Sequence, residues 1–226
     1  TVDVSDSVGN AATQHSGSFS YDASASIVSS AFGFGAVLNA TEDNGDATLT
    51  VTTADVDDGS TVTVALNGQS YTGTVSADSA EVVLAAADLQ ALTEGTVAYT
   101  VDVTDSAGNA ATQHSGSFSY DATAPAILSS AFDFGAVLNA SEDNSDAVLS
   151  ITTSGVEDGQ EASLSLAGET YQGTVTDNIA SFTVSASELQ SLSEGAVTYS
   201  VDVSDSAGNA ATQHSGSFSY DASASI

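Results

Sequence analysis

The sequence predicts an all-β chain built from tandem antiparallel β-sandwiches, about seven strands each, arranged end to end. Three observations carry this. Thr, Ser, Val, Gly, Asp and Asn dominate, and long runs of helix formers are missing, a balance that favours strands and turns. One block of sequence occurs three times, at a spacing of about 100 residues, which suits a self-sufficient small domain. Within each unit apolar residues alternate with Ser and Thr, the period of a half-buried sheet. Hydrophobic residues make up 41% of the chain, enough for real cores, so the high charge does not imply disorder.

The repeat sets the domain plan. Thr1-Val2-Asp3-Val4 through Ser20-Tyr21-Asp22 recurs from Thr100 to Asp121 and again from Ser200 to Asp221. Between these copies, Ile27-Val28-Ser29-Ser30-Ala31-Phe32 matches Ile127-Leu128-Ser129-Ser130-Ala131-Phe132. The period is too long for a solenoid repeat of roughly 20–50 residues. The expected domains are 23–122 and 123–222, with 1–22 a terminal hairpin of a preceding repeat and 223–226 the start of a further linker. Alternatively, the hairpin 1–22 completes the sandwich of the following unit, so that domains straddle the repeat.

Taken in order, the second unit reads as strands near 126–131, 147–153, 161–167, 169–176, 179–184, 196–204 and 213–221. Leu149 and Ile151, Leu164 and Leu166, Phe182 and Val184, and Val197, Tyr199, Val201 and Val203 each alternate with polar neighbours. Turn signals separate the runs: Glu157-Asp158-Gly159, Ala167-Gly168, Asp177-Asn178 and Ala207-Gly208-Asn209. One helical turn interrupts them. Ser185 and Glu188 have capping-box spacing, Leu189 and Leu192 share a face, and Gly195 can end the turn. Tyr199 after Leu192 and Gly195, like Tyr99 after Leu92 and Gly95, resembles the tyrosine corner of immunoglobulin-like sandwiches.

Charge excludes whole function classes. There are 30 acidic side chains and no Lys or Arg, giving a net charge of −30. No basic surface exists to meet nucleic-acid phosphate or an anionic membrane. The carboxylates must be spread out, screened or neutralised by metal cations. Cysteine is absent, so neither disulfides nor thiol chemistry is available. Methionine is absent too, so Thr1 is not expected to be a natural start and the stretch reads as an internal piece. No apolar run approaches the ~18–20 residues of a membrane span.

Val156-Glu-Asp-Gly-Gln160, Tyr171-x-Gly-Thr-Val175, Ser187-Glu188-Leu189, Val203-Ser-Asp-Ser-Ala-Gly-Asn-Ala210 and Asp121-Ala-Thr-Ala-Pro125 resemble bacterial immunoglobulin-like repeats. These are the repeats that form the long extender regions of giant RTX adhesins and biofilm surface proteins exported by type I secretion. The resemblance covers both full units. It implies further copies in a parent protein, a membrane-anchoring end, a ligand-binding end, and calcium that rigidifies the junctions. It also implies an extracellular, bacterial cell-surface location. Pro125 occurs only at the middle junction; Asp22-Ala-Ser-Ala-Ser-Ile27 and Asp221-Ala-Ser-Ala-Ser-Ile226 are one residue shorter. The junction at 121–127 is therefore expected to be the stiffer one. The glycine-rich nonapeptides of RTX β-rolls are missing, so the chain corresponds to extender.

In such a sandwich the loops after the second and sixth strands share the pole where the chain enters. That places Glu157, Asp158, Asp205 and Asn209 near Asp121, and Asp57, Asp58, Asp105 and Asn109 near Asp22. Glu42, Asp43, Asp46 and Glu94 fall at the exit end of the first unit. Two readings compete. In one, Asp121, Glu157, Asp158, Asp205 and Asn209, and likewise Asp22, Asp57, Asp58, Asp105 and Asn109, cage Ca²⁺ with backbone carbonyls, since the ion takes about six to eight oxygens. In the other, they are solvated surface. Without a cationic side chain, several carboxylates within about 6 Å would repel strongly unless a cation intervened.

Catalytic readings fare badly. His15, His114 and His214 are one position copied three times. Each precedes Ser-Gly-Ser on a strand, without the strand–elbow–helix context of a nucleophilic serine. Asn39-Ala-Thr41 and Asn139-Ala-Ser141 match the glycosylation pattern, discounted for a bacterial source, and the Thr-x-Thr runs fit simple β propensity. The expected role is therefore a structural spacer contacting neighbouring repeats of its own chain, monomeric as a fragment and without enzymatic activity. Its rivals are a module that grips a glycan, ice or another cell, and a self-associating surface lattice or matrix.

Overall fold

The computed structural model describes residues 1–223, and the two full repeats share one order of elements. The first repeat contains β1 (Ser26–Phe32), β2 (Val37–Asn39), β3 (Ala47–Ala54), β4 (Thr61–Leu66), β5 (Gln69–Thr74) and β6 (Ser79–Leu84). A helical turn α1 (Ala86–Leu89) follows, then β7 (Gly95–Val103) and β8 (His114–Asp121). The second repeat contains β9 (Ala126–Phe132), β10 (Val137–Asn139), β11 (Ala147–Ser154), β12 (Glu161–Leu166), β13 (Glu169–Thr174) and β14 (Ile179–Val184). Its own helical turn α2 (Ala186–Leu189) leads to β15 (Gly195–Val203) and β16 (His214–Asp221).

Each repeat is a sandwich-like pair of sheets. The first has a three-stranded sheet β1-β3-β6 and a five-stranded sheet β2-β8-β7-β4-β5; the second has β9-β11-β14 and β10-β16-β15-β12-β13. The all-β, immunoglobulin-like class expected from the alternation is what the structure shows. One strand per repeat was not legible in the sequence. β10 is three residues long and pairs in parallel with β16, Val137 opposite Ser219, as β2 does with β8. Three residues are too few to display a period of two.

By chain contacts there are two compact units. One comprises Thr1–Ala31, Thr50–Val82 and Thr100–Ser115, the other Phe32–Leu49, Val83–Tyr99 and Gly116–Ile226. The first unit includes residues 1–22, which form two isolated bridges, Val2 with His15 and Ser5 with Ala11. There Phe19 is 90% exposed, whereas its counterparts Phe118 and Phe218 are 3% and 4% exposed. Of the expected linker start at 223–226, residues 224–226 lie outside the described residues.

The core of the second repeat follows directly from the alternating residues. Leu149 and Ile151 of β11, Leu164 and Leu166 of β12, Phe182 and Val184 of β14, and Val201 and Val203 of β15 are buried in one cluster with Phe132, Leu138 and Leu189. Burying such side chains contributes roughly 1.5–3 kcal/mol each. Aromatic rings fill one end: Phe132 stacks on Phe134 at 4.7 Å and meets Tyr199 and Phe218 edge-on at 5.5 and 5.2 Å. These are preferred geometries for ring quadrupoles.

The expected tyrosine corner is not what Tyr199 makes. Its register partner on β16 is Gly216, and a Cβ at Gly216 would lie 2.2 Å from the Tyr199 ring. The ring therefore lies over the glycine backbone of the next strand. Its hydroxyl reaches Ser130 Oγ at 2.8 Å instead of turning back to the backbone upstream, and Ser130 Oγ is also 2.8 Å from His214 Nε2. This ties β9 of one sheet to β15 and β16 of the other. His214 is thus a partly buried structural side chain.

Candidate functional site

The acidic loops are organised around backbone N–H groups. A chain with no cationic side chain has one abundant source of donors for its carboxylates, the peptide itself. In the Asp-Ser-Ala-Gly-Asn loop, Asp105 Oδ1 accepts from Asn109 N at 2.7 Å and Oδ2 accepts from Asn109 Nδ2 at 2.8 Å. Gly108 closes the loop at φ +95°, a conformation natural to glycine. The copy at 205–209 repeats both bonds at 2.8 and 3.0 Å, and Asp6 with Asn10 does the same. The Asn109 amide, joined by backbone N–H groups, holds the Asp105 carboxyl below its ordinary value despite the opposing pull of desolvation.

The other candidate ligands are engaged in the same manner. Glu157 Oε2 accepts from Ser206 N at 2.8 Å, a bond that holds its carboxyl below the ordinary value, and Asp57 accepts from Ser106 N at 3.2 Å. Asp158 and Asp58 accept from Asp177 N and Ala77 N, both at 2.8 Å. Asp22 accepts from Ser24 N at 3.3 Å and Asp121 from Thr123 N at 3.1 Å. Glu94 accepts from Ala122 N and Thr123 Oγ1 at 2.9 and 2.7 Å and is likewise held below its usual range, first by the Thr123 hydroxyl.

Two carboxylates expected near the exit end are structural. Asp43 is buried and accepts from Tyr120 OH at 2.7 Å; Asp143 does the same with Tyr220 OH at 2.8 Å. Burial, reinforced by Asp43, pushes the Tyr120 phenol up to about 12. Asp46 and Asp146 each accept from the first N–H of the helical turn, Ala86 N and Ala186 N, at 3.0 Å. These bonds satisfy donors that a helix start leaves orphaned.

Within the second compact unit, Asp121, Asp205 and Asn209 come together while Asp158 is engaged elsewhere. Asn209 is 4% exposed. Its Nδ2 donates to Asp205 Oδ2 and to Asp121 O, both at 3.0 Å, and its Oδ1 accepts from Ala40 N at 2.9 Å. Asn39 Nδ2 donates to Ala207 O at 3.0 Å. Asn39 and Ala40 were missed as functional residues. The signal was present: Asn39 and Glu42 have capping-box spacing, and the structure shows Asn39 N donating to Glu42 Oε2 at 3.2 Å and Glu42 N to Asn39 Oδ1 at 3.1 Å. A cleft nearby is lined by Glu94, Asp121, Thr123, Glu157 and Asn178 among others.

These residues do not fit a ready-made calcium cage. Among the described residues, no three His, Asp or Glu side chains are gathered so as to hold a metal ion. The oxygen of Asn209 that a cation would need already faces an N–H.

No family model matches the chain, and no curated protein does. Solved structures do. One is a Ca²⁺-stabilized adhesin that helps an Antarctic bacterium reach out and bind ice; it is 30% identical over 99% of this chain and 56% of its own, with a TM-score of 0.53. This chain thus spans little more than half of that protein's solved length. Another belongs to a 1.5-MDa bacterial ice-binding adhesin studied for host cell surface retention, 27% identical over 98% of this chain and 73% of its own, TM-score 0.56. A bacterial immunoglobulin-like domain from the M. primoryensis ice-binding adhesin matches 44% of this chain and 97% of its own at 28% identity, TM-score 0.30. In fold and in sequence, the chain is similar to parts of bacterial ice-binding adhesins.

Proposed function

We propose that these repeats are extender modules of a bacterial surface adhesin, linked in series outside the cell to carry a separate ligand-binding region away from it. The observation that carries this reading is the repetition of a whole sandwich, element for element and strand order for strand order, in a chain similar to large adhesins. A ligand site would be expected to vary between copies; here the loop at 105–111 recurs unchanged at 205–211, and the loop at 40–46 recurs at 140–146 with two substitutions. Duplication also speaks against catalysis, since nothing in the Ser130, Tyr199 and His214 contact supplies an oriented base beside an activated nucleophile. The high negative charge would keep neighbouring repeats soluble and apart.

Calcium is the second part of the proposal. It is supported by the Ca²⁺-stabilized neighbour and by carboxylates that have no cationic side chain to balance them. Because no cage is preformed, the ion is proposed as a counter-ion for the cleft lined by Glu94, Asp121 and Glu157. Small-angle scattering and thermal melting in millimolar Ca²⁺ and in chelator test both parts. The spacer reading expects a monomer whose maximum dimension grows by about 40 Å per added repeat, from strands rising ~3.3 Å per residue. A dimension that does not grow with copy number sinks it. Calcium is expected to raise the melting temperature by mass action; an unchanged melt removes the ion and leaves the spacer.

A further inference from the structure

The loops 105–111 and 205–211 have the same sequence, Asp-Ser-Ala-Gly-Asn-Ala-Ala, and the same internal hydrogen bonds. They differ in burial. Asn209 and Ala211 are buried whereas Asn109 and Ala111 are half-buried, and Ala207 is half-buried whereas Ala107 is exposed. The difference coincides with two features of the second copy, the segment Asn39–Ala40 seated on it and the Asn209 Nδ2 donation to Asp121 O, which Asn109 does not make to Asp22. A Cβ on Gly208 would come within 3.4 Å of Asn39 Nδ2, while one on Gly108 would meet nothing within 4 Å. The reciprocal comparison agrees. Asn39 and Ala40 are half-buried, but their counterparts Asn139 and Ala140 are exposed. Among the described residues, Asn139 Nδ2 and Ala140 N have no hydrogen-bond partner, and neither does Asn109 Oδ1.

We infer that Asn209 is a repeat-to-repeat clamp, and that Asn109 and the pair Asn139–Ala140 are open halves of the same clamp, each a docking surface for a further copy of this repeat. The inference rests on the spacer reading for the serial arrangement of repeats and adds the residues that join them.

The chemistry fixes the orientation of each amide. An ionised carboxylate only accepts, so Asp205 Oδ2 must face Asn209 Nδ2, which turns Oδ1 toward the Ala40 N–H. Asn39 Oδ1 is occupied by Thr41 N at 2.9 Å, leaving Nδ2 to reach Ala207 O. Asn139 Oδ1 is held identically by Ser141 N at 2.9 Å. Each half is therefore locked in its docking conformation before it docks, which lowers the entropic cost of association. All bonds across the contact have neutral donors and acceptors, so the clamp needs no metal. Aspartate could not replace Asn209: it would set oxygen against Asp205 Oδ2 and Asp121 O and remove both donations.

Amide hydrogen exchange in the presence of chelator tests this. In the native chain the Ala40 N–H should exchange at least about tenfold more slowly than the Ala140 N–H, despite their similar sequence context. Asn209→Asp should raise Ala40 exchange to the Ala140 level, while Asn109→Asp should leave Ala40 unchanged. The Ala211 N–H, bonded to Val203 O at 2.9 Å, reports whether the loop itself still folds. In a chain extended by one more copy of 123–222, Ala140 should become protected. Equal exchange at Ala40 and Ala140 in the native chain, or protection of Ala40 that survives Asn209→Asp, overturns the clamp. Unchanged Ala140 in the extended chain overturns the docking surface. Exchange reports the contact and scattering reports the length, so the failure of one reading is distinct from failure of the other.

Discussion

At the scale of the residue, the structure solves one problem repeatedly: how to settle carboxylates without a cationic partner. Backbone N–H groups and asparagine amides take the place of lysine and arginine. This ties acidic residues to local geometry, because an N–H cannot be moved without moving the chain. The other residue-scale constraint is steric. Tyr199 lies over Gly216, where a Cβ would fall 2.2 Å from the ring. Gly216→Ala is therefore expected to destabilise the second repeat by about 1–3 kcal/mol, as overpacking does. Tyr199→Phe, which keeps the ring and loses the hydroxyl contact with Ser130, should cost about 1 kcal/mol. Urea denaturation separates the two; a Gly216→Ala chain as stable as the native one would show that the ring can move aside freely.

At the scale of the element, the two helical turns are a controlled comparison. In α2 the Ser185 N–H donates to Glu188 Oε2 at 2.9 Å, completing a capping box. In α1 the corresponding N-cap is Ala85, which has no side-chain acceptor. Glu188→Ala should thus lower stability by about 0.3–1.5 kcal/mol, and Asp88→Ala in α1 should have a smaller effect. Equal losses in thermal melts of the two variants would show that the capping box contributes nothing. The long strands and this turn were legible in the sequence because each runs over enough residues to reveal its period. β2 and β10 were not, being three residues held by pairing with a strand more than seventy positions away. The tyrosine corner was misread for a related reason: the spacing located Tyr199, but the partner of its hydroxyl lies on the other sheet.

At the scale of the whole molecule, a net charge of −30 makes folding electrostatically unfavourable through self-repulsion. Added monovalent salt is expected to raise the melting temperature by screening this repulsion. Acid acts through particular groups. Glu94, Asp105, Glu157 and Glu188 are held below their ordinary values of 4.5, 3.8, 4.5 and 4.5 by hydrogen bonds in the fold. Near those values the unfolded chain binds more protons, so stability rises with pH through this range. The contribution is fully present above the ordinary values and is lost as pH falls through the lower, folded ones. Melting temperatures should drop steeply below about pH 4. A melt that stays flat from pH 6 to pH 2 would show that these bonds carry no stability.

By itself the sequence determined the repeat, the all-β class, the buried faces of the long strands and the net charge. These follow from composition and from periods that are local properties of the chain. Tertiary structure alone decided which carboxylate meets which N–H, that Tyr199 reaches Ser130, and that Asn209 binds Ala40 across 169 positions. Those contacts depend on loops brought together from distant parts of the chain. No local pattern distinguishes Asn209 from Asn109, since their surrounding loops are the same seven residues.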